Sequence, residues 1–533
     1  MTLTATPDAA PSSRPGPRHL GWALVLISVA QLMVVLDATI ANIALPFIKN
    51  DLRISQTNLS WIVTGYSLAF GGLLLLGGRL GDLYGRRRMF MVGVSIFAVA
   101  SLLGGLAGNE ALLLGARGLQ GLGAAIASPA ALALITTTFP AGPQRNRAFS
   151  VYAAMSGAGA AVGLILGGWL TGLHPSFFSQ SVDGWRLTFL INVPIGIMAA
   201  LAAPALLAES ESHPGELDLP GALAGTLGLV GIVYGLTRAG DQRYGWGDPW
   251  TLASLAAGVA LLVAFASIER RVTHPLLPFR ILASRTRATS FVVMMLVPAA
   301  MFSMFYFLSL FVQNVLQFSP LRTGIAFLPF SAGIVVAATI SAKLMEKVDP
   351  RWLAGTGTAM AGAALFGFSR LPYDDRVGHL AVTAHYASDI LPFIVLMSLG
   401  MGLTFVPLTL AAVHGVGARD SGIGSGVLNT MQQVGGAIGL ATLSTVAVHF
   451  TQAKGIALGA ATQAAPHTGA AADPAKVAAL HKLIGQVAYT EGATHAFLAG
   501  AAMIWLGTVV AVVFLNATHQ DLATDEVPQG IGG

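Results

Sequence analysis

Long apolar runs separated by short polar segments set the pattern of this chain. Runs of about 20 apolar residues, the length that carries a helix across a hydrocarbon core, occur at roughly 20–46, 57–78, 89–108, 111–139, 147–172, 187–207, 219–238, 250–268, 288–315, 322–342, 352–370, 388–414, 422–450 and 494–516. The pattern predicts an all-α polytopic membrane protein with fourteen transmembrane helices and both termini on one side. Residues 1–18 are rich in Pro, Ser and Thr without an apolar core, and read as a disordered tail, not a cleaved leader. The segment 451–493 lacks a long apolar run. Its sequence leaves open whether it is disordered or carries a short amphipathic helix.

The polar segments say how the helices are grouped. Gly77 to Arg88 concentrates glycine and charge between two apolar runs, which predicts a tight turn at one membrane surface. Its arginines, Arg79, Arg86, Arg87 and Arg88, mark that surface as cytoplasmic. A degenerate copy, Ser341 to Arg351, follows 264 positions later, with Lys343 on Arg79, Leu344 on Leu80, Glu346 on Asp82 and Arg351 on Arg87. Two such turns, each after the second run of its half, predict a duplicated bundle in a six, two, six layout. The tail 1–18 precedes an N-terminal six-helix bundle (19–207), two additional central spans (208–270), a C-terminal six-helix bundle (271–517) and a cytoplasmic tail (518–533). Parallel halves of this kind form transporters that hold a solute between them near the bilayer midplane.

Charge supports the orientation. Seventeen Lys and Arg fall on the predicted cytoplasmic side and 11 on the other. Three of those 11 lie in 451–493, a long segment that translocates regardless of charge. The segment 208–218 dissents, carrying Glu209, Glu211, Glu216 and Asp218 and no basic residue, but acidic residues count little for orientation. The chain of 533 residues is 54% hydrophobic and 10% charged, with a mean hydropathy of +0.70, against about 25% charged in soluble domains. The absence of cysteine excludes disulfides, thiolate metal sites and cysteine nucleophiles. A net charge of +5 follows from retained cytoplasmic basic residues and calls for no nucleic acid. No HExxH, GxSxG or paired intramembrane acid is present, which argues against an enzyme. No GK[ST] follows the glycines of the charged turn, so no nucleotide or other cofactor is expected, and no metal.

The turn Gly78-Arg79-Leu80-Gly81-Asp82-Leu83-Tyr84-Gly85-Arg86-Arg87 resembles the signature loop of the major facilitator superfamily. Four further segments resemble its fourteen-span drug:proton antiporter branch: Leu36 to Pro46 (LDATIANIALP) in span 1, Arg117 to Gly121 (RGLQG) in span 4, the span 5 glycine ladder, and Trp185 to Gly196 (WRLTFLINVPIG) entering span 6. The likeness covers spans 1 to 14. The branch usually carries Gly-Pro in span 5, where this chain has Gly163-Leu164 before Gly167-Gly168; the missing proline removes a kink.

Particular residues invite chemistry. Asp37 lies about 17 residues into span 1, where an acid costs several kcal/mol unless paired, hydrated or neutral. It is either a carboxyl that takes a proton outside and releases it inside, or a span-end acid bonded to backbone. Arg117 is the basic residue within the body of a span. The resemblance implicates it in proton transfer, with Asp37 or bound solute as its partner; the alternative is snorkelling to headgroups. The charged turn, Gly78, Arg79, Gly81, Asp82, Gly85, Arg86 and Arg87, reads as a conformational latch in which Asp82 pairs with its own loop or caps a helix. Gly159, Gly163, Gly167 and Gly168, like Gly435 and Gly439, permit close helix packing and could also form a sliding face between halves. Asn42, Gln120, Asn429, Gln432 and Gln433 are solute contacts or interhelical glue, as are Asn192 and Asn314. Met301 and Phe305, in the Met- and Phe-rich span 9, line either a pocket or lipid. His414 and His449 near span ends read as surface or satisfied groups.

The expectation is a proton-driven antiporter of a bacterial inner membrane that exports apolar or cationic small molecules by alternating access. The alternatives are a dedicated exporter of one metabolite, such as an antibiotic or fatty acid, and an intramembrane enzyme. Relatives in double-membraned bacteria often join a periplasmic adaptor and an outer-membrane channel, which makes those the expected macromolecular partners.

Overall fold

The computed structural model describes residues 17–140, 142–174, 176–177, 180–210, 215–415, 421–464 and 474–523. The first 16 residues of the expected tail, Glu211, Arg419, the middle of the 451–493 segment and the chain from 524 lie outside the described residues.

The long helices are α1 (Pro17–Leu52), α2 (Trp61–Tyr84), α3 (Arg86–Gly105), α4 (Glu110–Thr138) and α5 (Pro143–Thr171). They continue with the pair α6 (Gly184–Leu190) and α7 (Asn192–Leu206), then α8 (Leu219–Gly240) and α9 (Pro249–Glu269). After the short α10 (Phe279–Leu282) come α11 (Arg285–Asn314), the pair α12 (Pro320–Ala326) and α13 (Leu328–Leu344), and α14 (Pro350–Phe368). The chain closes with α15 (Leu391–Val413), entered through a π-helical turn at Tyr386–Ile390, then α16 (Ser421–Ala464), α17 (Pro474–Phe514) and α18 (His519–Ala523). Two short antiparallel hairpins, β1–β2 (Ser176–Phe177, Gln180–Ser181) and β3–β4 (Tyr373–Asp374, Ala381–Val382), decorate the loops, the second pairing Tyr373 with Val382. Among the described residues, twelve helices are long and apolar enough to cross a membrane.

Proline explains several features. Pro194 and Pro329 lack the N–H that would bond Leu190 and Ile325 one turn back, and the breaks at Ile191 and Phe327 follow. Pro46 likewise frees the carbonyl of Asn42, which accepts instead from Ser309 Oγ of α11 at 3.1 Å. Pro407 frees Leu403, whose carbonyl accepts from Ser341 Oγ at 3.4 Å. Carbonyls released inside a helix are thus satisfied by neighbouring helices, as a medium without water requires.

Two sequence expectations need correction. The charged turn is almost entirely helix: α2 continues to Tyr84, α3 begins at Arg86, and Gly85 alone makes the corner, with φ +95°. A left-handed backbone there suits glycine. The 451–493 segment is chiefly an extension of α16 and α17, which are 44 and 41 residues long. Lengths of roughly 66 and 62 Å at 1.5 Å per residue are twice a hydrocarbon core, so both helices project past it.

The helices α1 to α7 form one packed group and α11 to α17 another. Within the first, α1 lies on α5 and α7, and α4 on α2 and α3; within the second, α11 lies on α16 and α17, and α14 on α15 and α17. One core, around Phe90, Phe97 and Leu134, lies within the N-terminal group; a larger one, around Phe307, Phe311 and Phe368, continues across the seam to Ile43, Leu45, Ile62 and Phe189. α8 and α9 pack on each other, and α8 bridges the groups by touching both α2 and α16. We call the end with Gly85 the basic end and the opposite one the far end.

Candidate functional site

The densest buried polar cluster lies inside the N-terminal group. Asn109 caps α4 by accepting from the Leu112 N–H at 2.9 Å, and Arg117 follows two turns later. Its guanidinium donates to Asp37 Oδ2 at 2.5 Å, to Gln120 Oε1 at 2.8 Å and to the Ile62 carbonyl at 2.7 Å. Asp37 also accepts at Oδ1 from Gln120 Nε2 (2.8 Å) and from Asn192 Nδ2 (3.0 Å). Gln120 passes its other N–H to Ser101 Oγ at 2.8 Å. The network therefore joins α1, α2, α3, α4 and α7, with Asn192 presented just beyond the break at Ile191.

Burial makes this pair consequential. Asp37 is 2% exposed and Arg117 1%, with Gln120, Asn192 and Ser101 fully enclosed. Desolvating two charges costs several kcal/mol per ion, which is offset only when further hydrogen bonds complete the pair. Here three N–H donors reach the carboxylate and three acceptors take the guanidinium, which also lies 4.5 Å from the centre of the Tyr66 ring and 5.8 Å from that of Phe189. Such a cluster holds one carboxyl, sealed from solvent, on which bonds from α4 and α7 converge.

All of Asp37's partners belong to the N-terminal group, so it does not face the seam between groups. Its helix does. Five and six residues further along α1, the Asn42 and Ile43 carbonyls accept from Ser309 Oγ (3.1 Å) and Gln313 Nε2 (3.2 Å) of α11. Near the far end, α5 and α12 also touch: a methyl group on Gly168 would lie 2.5 Å from the Pro320 carbonyl, and one on Gly324 would collide with the Leu164 carbonyl. A pocket beside Tyr306, Phe307, Ala447 and Val448 holds only about 10 Å³, room for about one water. Through the α1–α11 bonds and the α5–α12 approach, the two groups meet at the far end.

The other singled-out residues separate into several places. Gln120 is buried and bonded at both amide ends within the network, the arrangement of interhelical glue. Asn42 Nδ2 donates to Ala38 O in its own helix at 3.2 Å. Gly159, Gly163 and Gly167 meet Leu32, Val35, Thr39 and Ile40 of α1, and so pack within one group; among the four span 5 glycines, Gly168 is the one at the seam. Gly435 and Gly439 pack against Met295 and Ala299 of α11. Phe305 sits against Phe327 and Phe330, with ring centres 5.2 and 4.9 Å away, and Met301 is half-buried nearby. Gln433 lies at the α2–α16 contact beside Gly71, Gln432 Nε2 approaches Met294 Sδ at 3.8 Å, and Asn429 is exposed.

The basic corner is held by residues outside the motif. Asp82 pairs with Arg86 at 3.3 Å. Glu209 accepts from the Arg87 and Arg88 N–H groups at 3.0 and 3.2 Å, and Ser210 Oγ from that of Arg86 at 2.9 Å. A carboxylate at a helix N-terminus satisfies orphan donors and the helix dipole. The acidity of 208–218 thus has a structural use that charge counting missed. Also missed were Ser101 and the Ile62 carbonyl, which carry no sequence signal, and the role of Asn192. At the far end, Tyr373 donates to Glu491, and Lys454 pairs with Asp375 at 2.5 Å and Glu491 at 3.7 Å. The Lys454 hydrogen bond holds the Asp375 carboxyl below the usual carboxylate range, and burial pushes the Tyr373 hydroxyl up.

Comparison with known proteins places this architecture. The puromycin resistance protein pur8 of Streptomyces alboniger is 43% identical over 454 residues, 85% of this chain and 86% of its own length. The cephamycin export protein CmcT of Amycolatopsis lactamdurans is 38% identical over 429 residues, 80% of this chain and 84% of its own. The fold matches that of a bacterial homologue of the human lysosomal transporter Spinster, with a TM-score of 0.65 at 17% identity, across 95% of this chain and 99% of that one. Residues 27–440 match the Major Facilitator Superfamily, so this chain, with its paired bundles of membrane-length helices, belongs to that family of transporters and is not an enzyme.

Proposed function

We propose that this protein exports lipophilic, antibiotic-like small molecules in exchange for protons, by alternating access in a bacterial cytoplasmic membrane. The observation that carries the coupling is the sealed Asp37–Arg117 pair, since an ionisable group at membrane depth is a functional site by default. The excess of Lys and Arg supports a cytoplasmic basic end with both termini on that side. α5 and α14, helices of 29 and 19 residues, complete fourteen spans with the twelve already counted. α8 and α9 are then the two central spans between the bundles 19–207 and 271–517.

The mechanism follows from α1. Protonating Asp37 removes the charge that Arg117, Gln120 and Asn192 share, which loosens α1 from α4 and α7. The same helix grips α11 through its Asn42 and Ile43 carbonyls, so the state of the pair is felt at the far-end seam. Proton and solute cross in opposite directions: Asp37 takes a proton from outside once solute has left through the open far end, and the far end closes with the proton bound. Proton loss to the cytoplasm then gives the ionised, fully bonded pair with the far end closed, and solute entering from the cytoplasm moves outward with that ionised form. One proton moving down one pH unit supplies about 1.4 kcal/mol, a tenfold gradient of solute.

The relatives' names support the cargo class. Each of the two names a single antibiotic, which favours a second, narrower reading: a dedicated exporter of one compound. Proteoliposomes with an imposed pH gradient test both. Uptake of several lipophilic drugs by wild type, lost by at least about tenfold in Asp37→Asn, is the expected result. Full gradient-driven transport by the variant removes Asp37 from the coupling, and transport of one compound alone selects the narrower reading.

A further inference from the structure

A cavity of about 390 Å³ opens at the far end, across the seam between the two groups. Lys49, Asn50 and Gln56 line it from the N-terminal group, and Asn314, Lys482 and Gln486 from the C-terminal group. Pro46, Val315 and Tyr489 supply its apolar wall. This volume lies within the roughly 300–1,000 Å³ of small-molecule sites, and its mix of apolar wall and a few polar groups is typical of them.

The charge of the cavity has one sign. Lys49 Nζ donates to Gln56 Oε1 at 2.6 Å, and Lys482 Nζ to Gln317 Oε1 at 3.1 Å; both partners are neutral. Neither lysine has a carboxylate among the described residues, and no Asp or Glu lines the cavity. The nearby acids are engaged elsewhere, Asp51 by Arg186 at 2.9 Å and Glu491 by Tyr373 and Lys454. A concave site walled by low-dielectric material focuses such a field. A cation is repelled there and an anion is drawn in.

We propose that this vestibule binds amphiphilic organic anions, with a carboxylate or phosphate between Lys49 and Lys482 and an apolar body against Val315 and Tyr489. Lys49 rides on α1 and Lys482 on α17, so parting the groups separates the two charges. The site is whole only while the far end is shut, and an occupant holds that state. The binding site stands independently of proton coupling, and its test uses no gradient.

The chain has no cysteine, so one introduced thiol reports alone. Gly485 lines the cavity, and a methyl group there would meet nothing within 4 Å, which makes Gly485→Cys a mild change. The full chain in phosphatidylcholine nanodiscs is treated with anionic sulfonatoethyl and cationic trimethylammonioethyl methanethiosulfonate, each rate normalised to a free thiol. The anionic reagent is expected to be favoured about fivefold, falling to near parity when Lys49→Gln and Lys482→Gln are combined. Dodecanoate should protect the thiol and dodecanol should not. Protection in phosphatidylglycerol nanodiscs without added ligand identifies a lipid headgroup as the anion, whereas protection only by added dodecanoate identifies a free solute. Parity of the two reagents in the unmodified cavity, or equal protection by acid and alcohol, overturns the proposal. Asn50→Cys provides the same readout from the opposite wall should Gly485→Cys fail to fold.

Discussion

The two groups of helices share an architecture but not a chemistry. Among the described residues, every buried charged side chain (Asp37, Arg117, Asp218, Asp241 and Glu269) precedes residue 270. The interior of the C-terminal group keeps hydroxyls that bond one turn back along their own helices, such as Ser303 to Ala299 O at 2.7 Å and Thr404 to Gly400 O at 2.8 Å. Its distinctive content is aromatic: Phe305 with Phe327 and Phe330, and Phe497 with Phe307 and Phe368. In the mechanism proposed above, only one of the two similar scaffolds holds an electrostatic switch, and the other presents an apolar wall.

The strongest challenge to this division is to remove the switch. Asp37→Ala leaves Arg117 buried without its counter-charge and should cost about 3–5 kcal/mol of stability. The double change Asp37→Leu with Arg117→Met should recover most of that loss in thermal unfolding, yet show no proton-driven transport. A double variant as unstable as the single would mean that the cluster holds the bundle together and does nothing more.

A smaller effect is expected on the apolar side. Phe305→Ala should lower stability by about 2 kcal/mol and alter solute preference while leaving the proton-to-solute ratio unchanged. Uncoupled proton leak in that variant would breach the separation, because the aromatic wall would then be shaping the switch.

The least effect belongs to a clasp at the basic end. Asp349 accepts from the His519 N–H at 3.0 Å and meets its Nδ1 at 2.9 Å, and these bonds hold the carboxyl below its ordinary value. A depressed folded-state pKa stabilises above the unfolded value of about 3.9 and loses that contribution as pH falls through the folded one. Hydrogen-exchange protection across 515–523, with the intrinsic pH dependence of exchange divided out, should therefore fall below about pH 4 in wild type, and be lowered already at neutral pH in Asp349→Asn. Exchange that ignores both changes would show that the clasp contributes nothing.

Much of the scaffold was legible because oil and charge alternate on the scale of a bilayer. The apolar runs and the Asp37, Arg117 and Gln120 motifs survive translation into helices, whereas the charged turn shrinks to a corner at Gly85. Partner choice did not, because it depends on how helices rotate against one another. Gln120 and Asn192 looked like any polar amide in a span until α4 and α7 turned them toward one carboxylate. Glycines read as packing positions do seat α1 on α5, with Gly168 alone of the four at the seam; which neighbour each meets was not legible, since nothing in a four-residue spacing says it. The segment 451–493 hid two helices because composition cannot distinguish an Ala-rich loop from an Ala-rich helix outside lipid.

Gly85 carries a consequence for how damage to this transporter would look. Any side chain at that corner would have to adopt an unfavourable backbone and would crowd the Glu209 carboxylate, 2.7 Å from where its first carbon would stand. Under the proposed alternating access, a chance mutation there would impair export while every atom that meets the solute stayed in place. In a genetic screen it would masquerade as a lesion of the transport path, although its cause is the strained backbone of one corner.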